Sequence, residues 1–308
     1  MKLKPFNNKL SVIHKKDKVT LWIALFISLL ASALIGCTTP DRSDPTDVSV
    51  QPTAADFTKN SPFSLVQIQE RGVLSVGTAI TEPFEYHDPN TGEFIGFDID
   101  IAKYIADKLE VEVEWVEMPF ANLIPSLQNY KVDMIIAAMY IKPEREELVD
   151  FSEPYIETGL VMVALPELRA QIKTVQDLAG LKVGVKIGAT GAQLAQDLIA
   201  EGITLESIEY KDTFSSFLDL EVARVDVVFN DYLNTLVYIK NSQSDLEIIT
   251  NDAGEVNFLS QVGLGIAVHQ SNEELLEFIN AAVMEMRQTG DFDQLYKQWF
   301  SPGNGQEN

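Results

Sequence analysis

The sequence predicts an α/β protein of two lobes. From Val73 onward, short β-branched runs alternate with amphipathic helical stretches, the pattern of βαβ units and a largely parallel sheet covered on both faces. The alternation comes in two series, separated by the loop PELRAQIKTVQDLAG at 166–180. Residues 61–308 are enough chain for one large domain or two ordinary lobes, and the two series favour the lobes.

The first series reads VLSVGT at 73–78, DIDIAKYIADKL at 98–109, VEVEWVEM at 111–118, ANLIPSLQNY at 121–130 and VDMIIAAMYI at 132–141. In the first of its helices Ile101, Ala102, Ile105 and Leu109 recur at helical spacing, with Lys103, Asp107 and Lys108 elsewhere on the wheel, so one face belongs to the core. The second series begins with the strand LKVGVKI at 181–187 and the turn Gly188-Ala189-Thr190-Gly191. It continues with a helix over 192–202, the strand VDVVFND at 225–231 and a helix YLNTLVYIK at 232–240. The last third has a strand GLGIAVHQ at 263–270, a long helix at 272–290 and a short one, DFDQLYKQWF, at 291–300. No short internal repeat is visible. Ligands of open α/β sheets sit at the carboxyl ends of strands. That points to Thr78 to Phe84, Ala137 to Tyr140, Lys186 to Gly191, and Asn230 with Asp231.

Ahead of this body, Lys2, Lys4, Lys9, Lys15, Lys16 and Lys18 precede an uncharged run from Val19 to Gly36, the layout of a secretory signal. A membrane span is the rival, because eighteen uncharged residues come close to bilayer thickness. Leu34-Ile35-Gly36-Cys37, with the single cysteine of the chain, resembles the lipobox of bacterial lipoproteins, although Ile35 is an unusual residue there. The resemblance implies a signal peptide over 1–36, acylation of Cys37 and a lipid anchor to a membrane outside the cytoplasm. With one cysteine no intrachain disulfide can form. Residues 38–60 are mostly Thr, Asp, Ser and Pro and read as a disordered tether.

The formal charge is −23, and −28 once residues 1–36 are left out. Nucleic acid is therefore excluded as a partner, because phosphate binding needs a basic face. His14, His87 and His269 are scattered without metal-ligand spacing, so neither a metal nor a cofactor is expected.

Gly96-Phe97-Asp98-Ile99-Asp100-Ile101, followed by Ile105-Ala106 and Leu109, resembles the signature of the family 3 bacterial solute-binding proteins, the polar amino acid receptors of ABC importers. The order of further segments strengthens it: PFEY at 83–86, FANLIPSL at 120–127, AAMYIKPERE at 137–146, DFSEPY at 150–155 and LYKQWF at 295–300. The resemblance spans residues 66–300. It implies a periplasmic-binding-protein-like type II fold, two α/β lobes joined by two hinge strands. Lobe 1 would be 61–158 plus 261–308, and lobe 2 would be 160–258. It also implies a monomeric receptor, not an enzyme, that closes around an amino acid or close analogue and delivers it to an ABC transporter permease. The alternative is a cyclohexadienyl dehydratase acting on prephenate or arogenate, an activity that a few proteins of this fold have acquired.

Site residues follow from the same resemblance. The counterpart of Arg145 clamps the ligand carboxylate, a task suited to a planar guanidinium with paired donors. Without the motif, a surface ion pair with Glu144, Glu146 or Glu147 is the simpler reading. Asp231 matches an aspartate that accepts the ligand ammonium, and it is equally placed to cap the helix after it; Asp226 reads as structural. The backbone of Thr190 and Gly191, at a helix start, would hold the carboxylate. Lys186 aligns with a position that touches the ligand side chain in some relatives. Phe120 would pack against the ligand or serve as plain core, and Ala138 would offer its carbonyl to the ammonium. Tyr140 stands where relatives carry Thr or Ser beside the carboxylate. The stretch 78–82 is a residue short, and Glu82 is either a rim charge or a reader of a basic side chain.

Overall fold

A computed structural model of the chain describes residues 64–300. The expectations for the signal segment 1–36, Cys37 and the tether 38–60 lie outside the described residues.

Helix α1 (Leu65–Arg71) is capped by the Ser64 side chain and ended by Gly72 at φ 70°, where only glycine is unstrained. It leads into β1 (Val73–Thr78). A small antiparallel pair follows, β2 (Tyr86–His87) with β3 (Phe94–Ile95). Gly96 then turns the chain into α2 (Phe97–Leu109) at φ 137°, and a Cβ there would lie 2.1 Å from the Phe84 carbonyl oxygen. Helix α2 buries Phe97, Ile101, Ala102, Ile105 and Leu109, the stripe its periodicity predicts. Next come β4 (Glu112–Glu117), a 3₁₀ turn at Phe120–Asn122, α3 (Leu123–Gln128), β5 (Met134–Ile135), α4 (Pro143–Glu146) and β6 (Asp150–Phe151).

The nine-residue strand β7 (Ile156–Ala164) opens the second series. After α5 (Pro166–Arg169) and a 3₁₀ turn at Val175–Leu178 come β8 (Lys182–Lys186), α6 (Thr190–Ala200), β9 (Glu206–Tyr210), α7 (Thr213–Glu221), β10 (Val227–Asp231), α8 (Tyr232–Ser242) and β11 (Glu247–Ile248). The chain returns through β12 (Ser260–Leu264) and β13 (Ala267–Val268) to α9 (Glu273–Thr289) and α10 (Asp291–Phe300).

Two sheets result. One runs β4-β1-β5-β13-β6, the other β11-β7-β10-β8-β9 with β12 on β7. β1 is parallel to β4 and β5, and β8 is parallel to β9 and β10. The fold class is the predicted α/β, in the type II arrangement of two α/β lobes joined by two strands. The sheets are more mixed than the sequence suggests, because β7 and β13 run antiparallel to their neighbours. Each of these strands enters its sheet just after the chain has crossed from the other, so it arrives from the opposite direction.

The run 263–270 is not one strand. It breaks into β12, which belongs to the second sheet, and β13, which belongs to the first. The run 132–141 likewise keeps ladder geometry only at β5, because Ala138 adopts φ 47°, outside the β region.

The C-terminal helix is fixed to the first sheet's layer by aromatic packing. Phe300 lies 5.2 Å from Phe84 and 5.0 Å from Phe97, centroid to centroid, and Trp299 Nε1 donates to Asp100 Oδ2 at 2.8 Å. Each such aromatic pair adds roughly 0.5–1.5 kcal/mol beyond its burial.

Candidate functional site

The strand ends named by the sequence converge. Phe120, Ala138, Tyr140, Arg145, Lys186, Thr190, Gly191 and Asp231 all line one cavity of ≈ 60 Å³. The first four come from the layer of the first sheet and the last four from the second.

Arg145 sits in the short helix α4. Its Nη1 donates to the Tyr140 carbonyl at 2.9 Å, its Nη2 reaches the Gly188 carbonyl at 3.5 Å, and its guanidinium carbon lies 5.3 Å from the Phe120 ring centroid. Among the described ion pairs none involves Arg145, and Glu144 is held by Lys142 instead. Burial pulls the Arg145 guanidinium down to about 10, opposed by Glu144 and Tyr140. The surface ion pair is thus not what the structure contains, and a desolvated guanidinium with unspent donors favours an anion.

Asp231 ends β10 and caps α8. Its Oδ1 accepts from Leu233 N at 2.8 Å and Asn234 N at 3.1 Å. Its Oδ2 accepts the Tyr140 hydroxyl and the Thr158 hydroxyl, each at 2.8 Å. Burial raises the carboxyl, and these four donors oppose the rise. The capping role and the cavity role therefore coexist in one side chain. Tyr140 directs its hydroxyl to Asp231, not to the Arg145 guanidinium, so the residue that replaces a shorter hydroxyl serves the acidic side of the cavity.

Lys186 ends β8. Its Nζ donates to the Ile80 carbonyl at 3.1 Å and to Thr81 Oγ1 at 2.8 Å, and lies 5.2 Å from the Phe120 centroid. Burial lowers its pKa, while Glu85 and Asp212 raise it. Phe120 is thereby flanked by two cations, a use of the ring face that plain core packing does not explain.

Behind the cavity lies a buried acidic cluster. Asp98 Oδ2 accepts from Ala138 N at 2.7 Å and from the Tyr155 hydroxyl at 2.9 Å, which holds the left-handed peptide at Ala138 against the cavity wall. Burial raises the Asp98 carboxyl to about 7, and burial followed by the nearby Asp98 raises that of fully buried Glu85. Thr190 and Gly191 form the first turn of α6, whose leading N–H groups have no partner within the helix. A Cβ on Gly191 would come within 3.0 Å of Phe229 Cβ, so the glycine lets this helix end approach β10.

The family model for bacterial extracellular solute-binding proteins, family 3, matches residues 74–302. The chain belongs to this family. This solute-binding protein is 33% identical to the ABC transporter arginine-binding protein 1 of Escherichia coli K12, over 74% of its own length and 90% of that protein's. It is 30% identical to the L-cystine-binding protein TcyJ of the same organism, with 77% and 85% covered. Among solved structures, an ancestral arginine-binding protein bound to arginine matches with a TM-score of 0.67 and 40% identity, covering 75% of this chain and 99% of that one. The two Escherichia coli relatives are solute-binding proteins of transport systems. No helix among the described residues is long and apolar enough to cross a membrane.

Other residues of this binding protein fall outside the cavity. Exposed Glu82 lines a neighbouring cavity of ≈ 480 Å³ with Asp212, Phe214 and Tyr238. Asp226 accepts from Lys182 N at 2.7 Å, the structural role expected of it. His87 pairs with Glu117, His269 stacks on Tyr130, and the described residues contain no cluster suited to a metal ion. Thr158, Thr213, Leu160 and Phe229 belong to the site without having been singled out, while Thr81 falls within the strand-end stretch 78–84 that the sequence points to. Thr158 gives no sequence signal beyond one hydroxyl in an apolar strand.

Proposed function

We propose that this protein is the extracytoplasmic receptor of an ABC importer for an amino acid or close analogue. Residues 61–158 with 261–308 form one lobe, residues 160–258 the other, and a zwitterion drawn between them closes the cleft. One observation carries the reading: a desolvated guanidinium, Arg145, and a carboxylate, Asp231, reach the same small cavity from different sheets. The carboxylate of the ligand meets Arg145 and the start of α6 at Thr190 and Gly191. Its ammonium meets Asp231, the Tyr140 hydroxyl, which keeps its own lone pairs while donating, and the Ala138 carbonyl. Phe120 and Lys186 face its side chain. Binding that spans the lobes favours the closed population. A micromolar affinity, about −8 kcal/mol, is within reach of two charge-assisted clusters after the cost of closure.

The anchor belongs to the same proposal. Acylation of Cys37 would leave a 23-residue tether at 38–60, long enough to reach at most ~75 Å when fully extended. The closed protein could then dock on a permease in the same membrane as a monomer.

A thermal-shift series with the twenty amino acids and prephenate tests the reading, since a ligand of the folded state alone raises the melting temperature. Stabilisation by an amino acid, lost in Arg145→Ala, is the expected result. Turnover of prephenate with no stabilisation by any amino acid would replace the receptor with the dehydratase.

A further inference from the structure

We infer that Glu85 and Asp98 form a proton-sharing carboxyl pair behind the Ala138 peptide, and that capture of the ligand's ammonium drives a proton off this pair. The inference rests on the reading of Asp231 and the Ala138 carbonyl as the ammonium site. It concerns two acids that the clamp between Arg145 and Asp231 leaves unused.

Both acids are completely buried, at 0% exposure. Glu85 bridges Thr81 in the loop between β1 and β2, and Asp98 lies in the first turn of α2. Asp98 N donates to the Phe84 carbonyl at 2.8 Å, and the two carboxyls meet side chain to side chain. Asp98 Oδ2 is occupied by Ala138 N and the Tyr155 hydroxyl. Asp98 Oδ1 and both oxygens of Glu85, by contrast, have no hydrogen-bond donor among the described residues. Lys186, whose charge acts on Glu85, spends its bonds on Ile80 O and Thr81 Oγ1.

Two buried carboxylates in contact cannot both ionise, whereas a proton held between them turns their repulsion into a hydrogen bond and satisfies the orphan oxygens. The groups facing the pair act in both directions. Burial and then Asp98 raise Glu85, with Lys186 and Thr81 opposing. Burial raises Asp98 to about 7, opposed by Ala138 N, Tyr155 and Glu85, while Asp231 adds to the rise. A titration step near neutrality belongs to such a pair as a unit.

The pair reaches the site through Ala138. That residue holds φ 47°, a left-handed conformation unfavourable to alanine, and the bond from its N–H to Asp98 retains it. Its carbonyl is the one assigned to the ammonium, and Asp231, the other acceptor of that ammonium, is also the charge that disfavours ionisation of Asp98. An ammonium seated there cancels the field of Asp231 and adds a positive charge beside Asp98, while Arg145 answers the ligand's carboxylate. Both changes favour the ionised pair. The proton leaves to water as the ammonium arrives, and reciprocity makes affinity fall when low pH puts the proton back.

Two measurements test this. Infrared difference spectra of the purified protein between pH 5.5 and 8.5, with no amino acid added, should show the carbonyl stretch of a protonated buried carboxyl, weakened in Glu85→Gln and in Asp98→Asn. Calorimetric titration with L-glutamine, L-arginine and any other of the twenty amino acids that stabilises the parent is run at pH 7 in phosphate and in Tris, whose different ionisation heats count released protons. A fraction of a proton should be released per amino acid bound, and the dissociation constant should be about five-fold higher at pH 5.5 than at pH 8, as expected for a shift of roughly one pKa unit. Glu85→Gln should flatten that profile. A variant carrying His87→Gln and His269→Gln, both remote from the pair, should keep it. Absence of the carboxyl band in the parent overturns the shared proton. A band accompanied by equal heats in the two buffers and a pH-independent affinity overturns the coupling and leaves the receptor reading standing. Binding of none of the twenty overturns the receptor reading and the coupling with it, and the infrared band alone then decides the pair.

Discussion

The Tyr140 hydroxyl donates to Asp231 Oδ2 at 2.8 Å, across 91 positions of sequence and from one sheet's layer to the other. Thr158, on the strand that crosses between the sheets, donates to the same oxygen. Tyr140→Phe keeps the ring and its burial while removing the bridge. The affinity for an amino acid ligand should fall about ten-fold, close to the 1.5–3 kcal/mol typical of hydrogen bonds to charged groups. Titration calorimetry decides it, and an unchanged dissociation constant would show that the bridge plays no part in capture.

Asp231 both caps α8 and faces the cavity, and the two roles can be separated. Asn caps helices about as well as Asp, so Asp231→Asn should cost only a few degrees of melting temperature, on the order of 1–2 kcal/mol including the disturbed Oδ2 contacts. Ligand affinity should drop at least a hundred-fold because the charge is gone. A large loss of stability together with unaltered binding would reverse the assignment.

Gly188 reports on how closely the lobes meet. It has φ 73°, and a Cβ built on it would lie 2.7 Å from Ala121 Cβ and 3.0 Å from Ala121 Cα, on the other sheet's layer. Gly188→Ala adds backbone strain of roughly 1 kcal/mol and obstructs the approach of the two surfaces. The expected outcome is weaker ligand binding with a larger radius of gyration in ligand-saturated solution. Small-angle scattering that matches the parent protein would refute it.

The buried acids behind Ala138 make stability depend on pH. In the folded protein burial raises Glu85, and raises Asp98 from 3.8 to about 7. Above the ordinary carboxylate range the folded state keeps protons that the unfolded chain has released, so stability declines as pH rises from about 4 through 7, where Asp98 titrates, and the raised Glu85 adds to that decline. Glu85→Gln removes one acid and its repulsion. It should gain roughly 1–3 kcal/mol over the parent at pH 8 and much less at pH 4, by urea unfolding at both. An equal difference at the two values would mean that the pair does not titrate in this window.

Arg145 and Asp231 are legible in the sequence because each sits in a motif just past a strand, where an α/β sheet presents its ligand. Tyr140 is legible as a departure, but its partner is not, since a hydroxyl's direction depends on how two layers face one another. The bond between Asp98 and Ala138 joins positions 40 apart, and nothing in GFDID announces that its aspartate reaches the cavity wall. The break between β12 and β13 escapes a periodicity reading for a related reason. Gly263 and Gly265 leave an apolar run uninterrupted, yet a Cβ on Gly263 would fall 2.4 Å from Pro154 and one on Gly265 2.7 Å from Ile141. It is tertiary crowding that decides where the strand changes sheets.

The two strands that join the lobes are bonded to each other. Ile156–Leu160 of β7 and Ser260–Leu264 of β12 hold a five-step antiparallel register. A paired ribbon of this kind flexes across its flat face far more readily than it shears, because sliding one strand past the other would break every rung at once. Opening and shutting are thereby channelled into a single bending coordinate, like a leaf spring clamped at both ends. The stiffness of that spring, set by the ten paired residues of the two strands, would govern how quickly a captured solute is let go.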